Sequence, residues 1–174
     1  MKFKKPFIMM VLLVLVLSCA FAGNSSITVK ASPYSYQYVK KDAGYSSTYG
    51  FGFEAGYGYD FCKGLSVGAD IKYSNYKYTE LSDRYHVISL MPYLGWTGNV
   101  GDKCSVTANL GTGMQERIIG DRHALFFAMN LYLGAGYKVS EKVALTAGAD
   151  LGLAFQENSK DLSVDAMLGT AILF

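Results

Sequence analysis

Residues Tyr49 to Phe61 read YGFGFEAGYGYDF, a run in which large and small side chains alternate without interruption. The odd positions are aromatic or apolar, and the even positions are glycine, Glu54 or Asp60. Successive side chains of a β-strand point to opposite faces, so this stretch predicts a strand with one bulky apolar face and one small, polar face. A soluble half-buried strand would carry long charged side chains on its wet face. The pattern is instead typical of a membrane barrel, in which rings face lipid and small or polar groups face a narrow interior.

The same alternation recurs along the rest of the chain, and no segment has a sustained helical period. It predicts eight strands, at 26–38, 47–61, 64–77, 84–97, 104–117, 123–138, 142–156 and 161–174. From the third strand to the eighth, the outward rows contain no charged residue; in the sixth the row begins Leu125, Phe127, Met129. We therefore predict an all-β fold, an eight-stranded antiparallel up-and-down transmembrane β-barrel. An even strand count places both termini on the periplasmic side of the membrane.

Two prolines interrupt the pattern. In the first strand Ile27 and Val29 face outward, but Tyr34 and the tyrosines after it fall on the opposite parity, so we expect a bulge near Pro33. Pro92 lies inside the fourth strand, where it removes a ladder donor that a closed barrel needs. We therefore expect a distortion at Pro92.

The N-terminus has the three parts of a secretory signal: a basic start, an apolar run and small residues before the cleavage site. These parts are Lys2, Lys4 and Lys5, then residues 7–17, then Ala20 and Ala22. We expect cleavage before Gly23, which divides the chain into a signal peptide at 1–22 and one barrel domain at 23–174. An alternative is acylation of Cys19, as in a bacterial lipoprotein.

Loss of the three lysines with the signal peptide leaves 13 basic and 14 acidic side chains, so the formal charge falls from +2 to −1. A chain with this charge has no basic field for nucleic acid.

Aromatic side chains gather at the strand ends, where an amphipathic ring satisfies both its apolar body and its polar tip. At the expected periplasmic rim they are Tyr57, Tyr59, Phe61, Trp96, Tyr137 and Phe174. At the opposite rim we expect Tyr49, Tyr73, Tyr85 and Phe155. Both sets are interpreted as membrane-interface residues.

With these features the chain resembles the small OmpA/OmpX-like outer-membrane barrels, often described as porin-like β-barrel domains. The resemblance covers 23–174 and rests on the signal peptide, the eight strands and a last strand that ends Ala171-Ile172-Leu173-Phe174. It implies a place in the outer membrane of a Gram-negative-type bacterium, with outer-membrane lipid and the barrel-assembly machinery as partners. It also implies that Phe174 belongs to the assembly signal. Adhesive members of the family carry long surface loops, whereas the loops here, around 40–46, 79–83, 118–122 and 157–160, are short. We expect a monomer.

The inward parity carries charges of both signs in near balance. These residues are Lys30, Glu54, Asp70, Lys72, Arg117, Asp150 and Asp165. An eight-stranded barrel is just wide enough for side chains to fill it, and a buried charge is tolerated only when it is paired. We therefore expect these groups to pair across the lumen as a structural plug, in a protein with a structural or surface-associated role in the envelope. The alternative is a narrow pore for small solutes or ions, which the glycine-lined second strand favours.

Other functions are disfavoured by the residues present. A barrel enzyme that modifies lipid A needs a histidine beside a nucleophile, but Ser89 falls on the opposite face from His86, and His123 stands at a strand end. No carboxylates have the spacing of a known metal loop, and no helix follows the glycines to bind a phosphate. We therefore expect no enzymatic activity, no metal and no cofactor.

Two structural alternatives stay open. Cys62 and Cys104 lie near one rim on strands separated by two others, which favours free thiols over a disulfide. A soluble lipocalin-like barrel is the alternative fold. It would require Phe51, Phe53 and Tyr57 to pack inside and Glu54 to face water, so the facing of the second strand decides between the two folds.

Overall fold

The computed structural model describes residues 25–41, 44–78, 84–156 and 159–174, which form a closed eight-stranded barrel. The strands are β1 Ser25–Lys41, β2 Gly44–Cys62, β3 Leu65–Tyr78, β4 Arg84–Val100, β5 Cys104–Ile119, β6 Arg122–Lys138, β7 Val143–Gln156 and β8 Ser159–Leu173. Each strand is antiparallel to its neighbours, and β8 pairs with β1 to close the ring. The eight predicted strands and the predicted barrel are confirmed. The expected signal peptide and Cys19 lie outside the described residues.

The facing of β2 agrees with the membrane interpretation. Phe53 is 55% exposed on the outer surface, whereas Glu54 is 4% exposed inside the barrel. The apolar rows of the other strands are exposed in the same way, from Leu65 on β3 to Ile172 on β8. The soluble lipocalin-like alternative is therefore wrong, because it requires the opposite orientation of both faces.

The two ends of the barrel differ in their connections. One end, here called the terminal end, carries Ser25, Phe174 and the turns at 63–64, 101–103 and 139–142. In the first of these turns Lys63 and Gly64 have φ values of 39° and 85°, a left-handed pair that suits the twist of a hairpin. The other end, here called the loop end, carries the turn at 120–121. Strands β1, β2, β5, β6 and β8 extend further toward this end than the sequence pattern indicated.

Both prolines distort the barrel locally. The pairing of β1 shifts between Ser32 and Ser35 on its β2 side and between Ala31 and Tyr34 on its β8 side, which is the bulge expected near Pro33. Pro92 pairs with Ala69 of β3, but the ladder to β5 is interrupted between Leu90 and Tyr93. A proline has no N–H to donate, so the barrel loses pairing on one side of β4 there.

Cys62 and Cys104 are exposed free thiols. Among the residues that the structure describes, no helix has the length and hydropathy needed to cross a membrane.

The barrel interior as candidate functional site

The inward faces of the eight strands bring the charged residues together in three layers. The seven residues expected inside, from Lys30 to Asp165, all lie in the bore, and six of them are buried while Lys72 is nearly so. Each layer joins residues from strands that are not neighbours. The layers therefore depend on the closed topology as well as on the alternation within each strand.

The first layer, nearest the terminal end, is centred on Lys30. Its Nζ lies 2.6 Å from Glu54 Oε1 of the neighbouring strand β2. The same Nζ lies 3.9 Å from the centroid of the Tyr132 ring on β6, a cation–π contact across the bore. Asp70 is buried beside them, close enough to interact electrostatically with Lys30 and Glu54.

The second layer is centred on Lys72. Asp150 and Asp165 stand directly opposite each other on β7 and β8, an arrangement that is unfavourable for two like charges. Lys72 Nζ on β3 lies 2.7 Å from Asp150 Oδ2 and also forms an ion pair with Asp165. Asn130 Nδ2 donates to Asp150 Oδ1 at 3.0 Å, and the Ser35 hydroxyl donates to Asp165. Since β3 and β7 are four strands apart in a ring of eight, Lys72 reaches across the full bore.

The third layer, nearest the loop end, is centred on Arg117. Its guanidinium forms an ion pair with Asp161 of β8 and lies 4.6 Å from the Phe126 ring centroid. Gln37 Nε2 donates to Asp161 Oδ2 at 3.1 Å, and the Tyr85 hydroxyl donates to Gln37 Oε1. The layer thus connects β1, β4, β5 and β8 through side chains alone.

Several members of this third layer were not identified from the sequence. Tyr85 was expected at the outer aromatic rim, and this was wrong, because its side chain is 0% exposed inside the barrel. Gln37 and Asp161 were missed altogether. The strand parity could have identified Tyr85 and Asp161, because Tyr85 has the inward parity of Ser89 and Asp161 has the inward parity of Asp165.

Apolar side chains also fill part of the interior. Met91, Phe126, Ala128 and Ala154 form one buried cluster. Tyr76, Tyr85 and Val87 form another near the loop end. The inward face of this barrel is therefore not only polar. Large apolar and large polar side chains both occupy the half of the bore toward the loop end.

A cavity of about 630 Å³ occupies the half of the bore toward the terminal end. Lys30, Asp70 and Tyr132 lie at its inner limit, and small or polar residues such as Gly58 and Ser26 form its wall. A Cβ at Gly58 would lie 2.6 Å from the Tyr93 hydroxyl, so glycine at this position lets the Tyr93 side chain lie against the wall. The glycines of β2 and its neighbours thus leave space in the bore.

The residues expected at the periplasmic rim all lie at the terminal end. Phe61, Trp96, Tyr137 and Phe174 are exposed on the outer surface, and Tyr57 and Tyr59 are partly exposed there. The Phe174 N–H donates to the Ser25 carbonyl at 2.9 Å, which fixes the end of the chain to β1.

The two histidines lie apart from any nucleophile. His86 Nδ1 lies 2.7 Å from the Tyr73 hydroxyl on the outer face, whereas Ser89 is buried on the inner face. His123 Nδ1 lies 3.0 Å from Glu116 Oε1 at the exposed loop end. Within the described part of the chain, no group of three or more His, Cys, Asp and Glu side chains is placed to hold a metal ion.

Comparison with known proteins agrees with this architecture. Several solved structures share the fold at low sequence identity. Neisserial surface protein A is 15% identical, with a TM-score of 0.67, over 87% of this chain and 98% of its own. Ail, the attachment invasion locus protein of Yersinia pestis, is 14% identical, with a TM-score of 0.56, over 87% and 100%. The N-terminal β-barrel domain of Pseudomonas aeruginosa OprF is 16% identical, with a TM-score of 0.50, over 86% and 97%.

Comparison with curated protein sequences finds no significant match. A family model, described as the outer membrane protein beta-barrel domain, matches residues 8–170. This range includes nearly all of the barrel and its interior layers. The chain therefore belongs to the outer membrane protein β-barrel domain family and is a protein of the bacterial outer membrane.

Proposed function

We propose that this outer-membrane barrel is a monomer whose interior is sealed by paired charges and whose role in the envelope is structural or surface-associated. The observation that carries the proposal is the Lys72 side chain, which spans the bore to reach Asp150 and Asp165 on the opposite wall. An ion that passed this level would have to separate the three charged groups.

Separation of these groups is energetically unfavourable. Removal of one partner from a buried ion pair costs about 3–5 kcal/mol, because the other charge is left uncompensated. Each 1.4 kcal/mol is a factor of ten in an equilibrium constant, so an open state at this layer would have a population of roughly one in a hundred to one in a few thousand. The Arg117–Asp161 pair lies further along the same path and would have to open as well.

Conductance measurements in planar lipid bilayers test the seal. The purified barrel, shown to be folded by its faster migration on unboiled gels, should give no current steps across a range of voltages. Steady single-channel currents from the folded wild-type protein would overturn the proposal. A boiled sample of the same preparation serves as the control for contaminating channels.

A narrow pore is the second candidate function, and the cavity of about 630 Å³ is the observation that favours it. Water and small solutes could enter the bore from the terminal end as far as Lys30 and Asp70. Passage would still require a route through the Lys72 and Arg117 layers. The same bilayer measurement separates the two candidates, since only a pore gives current.

The outer surface supports lipid and the barrel-assembly machinery as partners. Rows of exposed apolar side chains surround the barrel, and this surface suits hydrocarbon. Phe174 is exposed immediately after β8, where an assembly factor could bind it before or during closure of the barrel. We propose no catalytic role, because His86 and Ser89 lie on opposite faces of β4.

The role in the envelope is testable in cells. Deletion of the gene should increase the sensitivity of the bacterium to detergents and to large apolar antibiotics, and the wild-type chain should restore resistance. A chain lacking the Lys72 side chain but still inserted should restore it less well. Unchanged sensitivity after deletion would count against a structural role.

A further inference from the structure

The outward face of β3 and β4 changes character near the loop end. The apolar row of β4 ends at Ile88, and the next outward positions are His86 and Arg84. On β3 the outward row continues from Tyr73 through Asn75 to Lys77. The strand register places Asn75 opposite His86 and Lys77 opposite Arg84. We call Tyr73, Asn75, Lys77, Arg84 and His86 the rim cluster.

Hydrogen bonds fix four side chains of the rim cluster: Tyr73, Asn75, Arg84 and His86. Arg84 Nη1 donates to Asn75 Oδ1 at 3.1 Å. Asn75 Nδ2 and the Tyr73 hydroxyl lie 3.0 Å and 2.7 Å from His86 Nδ1. Because the amide nitrogen of Asn75 can only donate, Nδ1 of His86 accepts from it, and the ring proton of the neutral histidine is on Nε2. The cluster therefore presents donors outward from a held guanidinium and a held imidazole.

The rim cluster has an excess of positive charge. Lys77 and Arg84 are both exposed, and like charges directly opposite each other on paired strands are destabilising. Neither forms an ion pair with any other described residue. Glu116, an outward carboxylate two strands away from Lys77, lies against His123 instead. An anion between Lys77 and Arg84 would remove the repulsion.

The position of the rim cluster indicates which anion it meets. Tyr49, an exposed ring on β2, pairs in register with Lys77, so the cluster lies at the level of the interfacial aromatic side chains. The side chains face the surrounding lipid and not the bore. At that depth the anionic groups available are the phosphates of lipid headgroups, and a guanidinium binds phosphate through two parallel hydrogen bonds.

We propose that Lys77, Arg84 and His86 form a binding site for the phosphate group of a lipid in the outer leaflet. This inference rests on the proposed function, because it takes the barrel to be in the membrane with its loop end at the cell surface. It adds the lipid chemistry and the residues that recognise it.

Lipid retention measured by native mass spectrometry tests the site. The barrel is reconstituted in phosphatidylcholine vesicles that contain a minor fraction of phosphorylated lipid A, or of the same lipid after enzymatic dephosphorylation, and is then extracted in mild detergent. The wild-type barrel should retain the phosphorylated lipid at least about tenfold more than the dephosphorylated one. The Lys77→Gln/Arg84→Gln variant should lose this preference. The matched control, Lys103→Gln/Lys142→Gln at the terminal end, should keep it.

Three results would overturn the site. These are equal retention of both lipids by the wild-type barrel, the same loss in the control variant, or displacement of the retained lipid by millimolar inorganic phosphate, which would indicate a site for free anions. Migration of unboiled samples checks that both variants are folded, which is expected because all four substituted side chains lie on the surface. Bilayer conductance of the same preparations reports on the proposed seal separately, so a silent barrel without lipid preference contradicts only the site.

Discussion

The Lys72→Met substitution is the sharpest test of how the interior is stabilised. Methionine keeps most of the length of the side chain but leaves Asp150 and Asp165 buried, adjacent and without their cation. We expect the free energy of unfolding to fall by about 3–5 kcal/mol, the cost of leaving one side of a buried ion pair unpartnered. The folding equilibrium constant would then fall by a factor of roughly a hundred to a few thousand.

Urea titration of the barrel in detergent micelles measures this change. Trp96 is the single tryptophan and is exposed on the outer surface near the terminal end, so its fluorescence reports loss of the micelle contact without a direct effect of the substitution. The control Lys103→Met removes a lysine from an exposed turn and should change stability by less than about 0.5 kcal/mol. The triple variant Lys72→Met/Asp150→Asn/Asp165→Asn should recover much of the loss, because no buried charge is left at this layer.

Two outcomes would refute this account of the second layer. One is a Lys72→Met barrel within about 1 kcal/mol of the wild type, which would mean that water solvates the two aspartates. The other is a triple variant no more stable than the single variant, which would mean that packing of the lysine stem and not its charge is what matters.

The remaining predictions concern the third layer, the facing of the strands and assembly. Arg117→Leu should lower the free energy of unfolding by about 3–5 kcal/mol in the same titration, and a similar loss for the exposed Arg122→Leu would contradict the role of burial. In a chain without its native cysteines, Phe53→Cys should react only with a membrane-permeant maleimide, whereas Ser26→Cys should react with a water-soluble one through the cavity; reversed reactivity would disprove the facing. Phe174→Ser should reduce the amount of assembled barrel in cells, measured by heat-modifiable migration, while equal assembly would exclude its role as a signal.

The alternation of side chains was sufficient to predict the fold. A period of two in eight segments, without charges on one face, gave the strands within three residues of their ends and the facing of each row. The bulge near Pro33 was also predictable, because the parity of the tyrosines changes there. These features are local, so each follows from neighbouring residues alone.

The pairing inside the bore could not be predicted in the same way. Glu54 has a lysine as register partner on each side, Lys30 on β1 and Lys72 on β3, and local reasoning does not choose between them. In the structure Glu54 pairs with Lys30, and Lys72 crosses to Asp150 and Asp165. Parity shows only that a side chain points inward. Its partner depends on the strand stagger, which determines which residues of the opposite wall lie at the same level of the bore. Tyr85 is a different case, because its inward position could be predicted from its parity, although its ring was assigned to the membrane interface.

The distribution of side-chain volume along the bore determines where the barrel is open and where it is closed. Glycine and serine line the half toward the terminal end and leave a cavity, whereas Tyr85, Phe126 and Met91 fill the half toward the loop end. The two ion-paired layers centred on Lys72 and Arg117 share no side chain in their ion pairs, so the costs of opening them should add, to about 6–10 kcal/mol. A state with both layers open would then have a population below roughly one in ten thousand. If the proposed seal holds, the barrel admits solvent from one end only, and we expect it to meet other molecules at its outer surface and its rim.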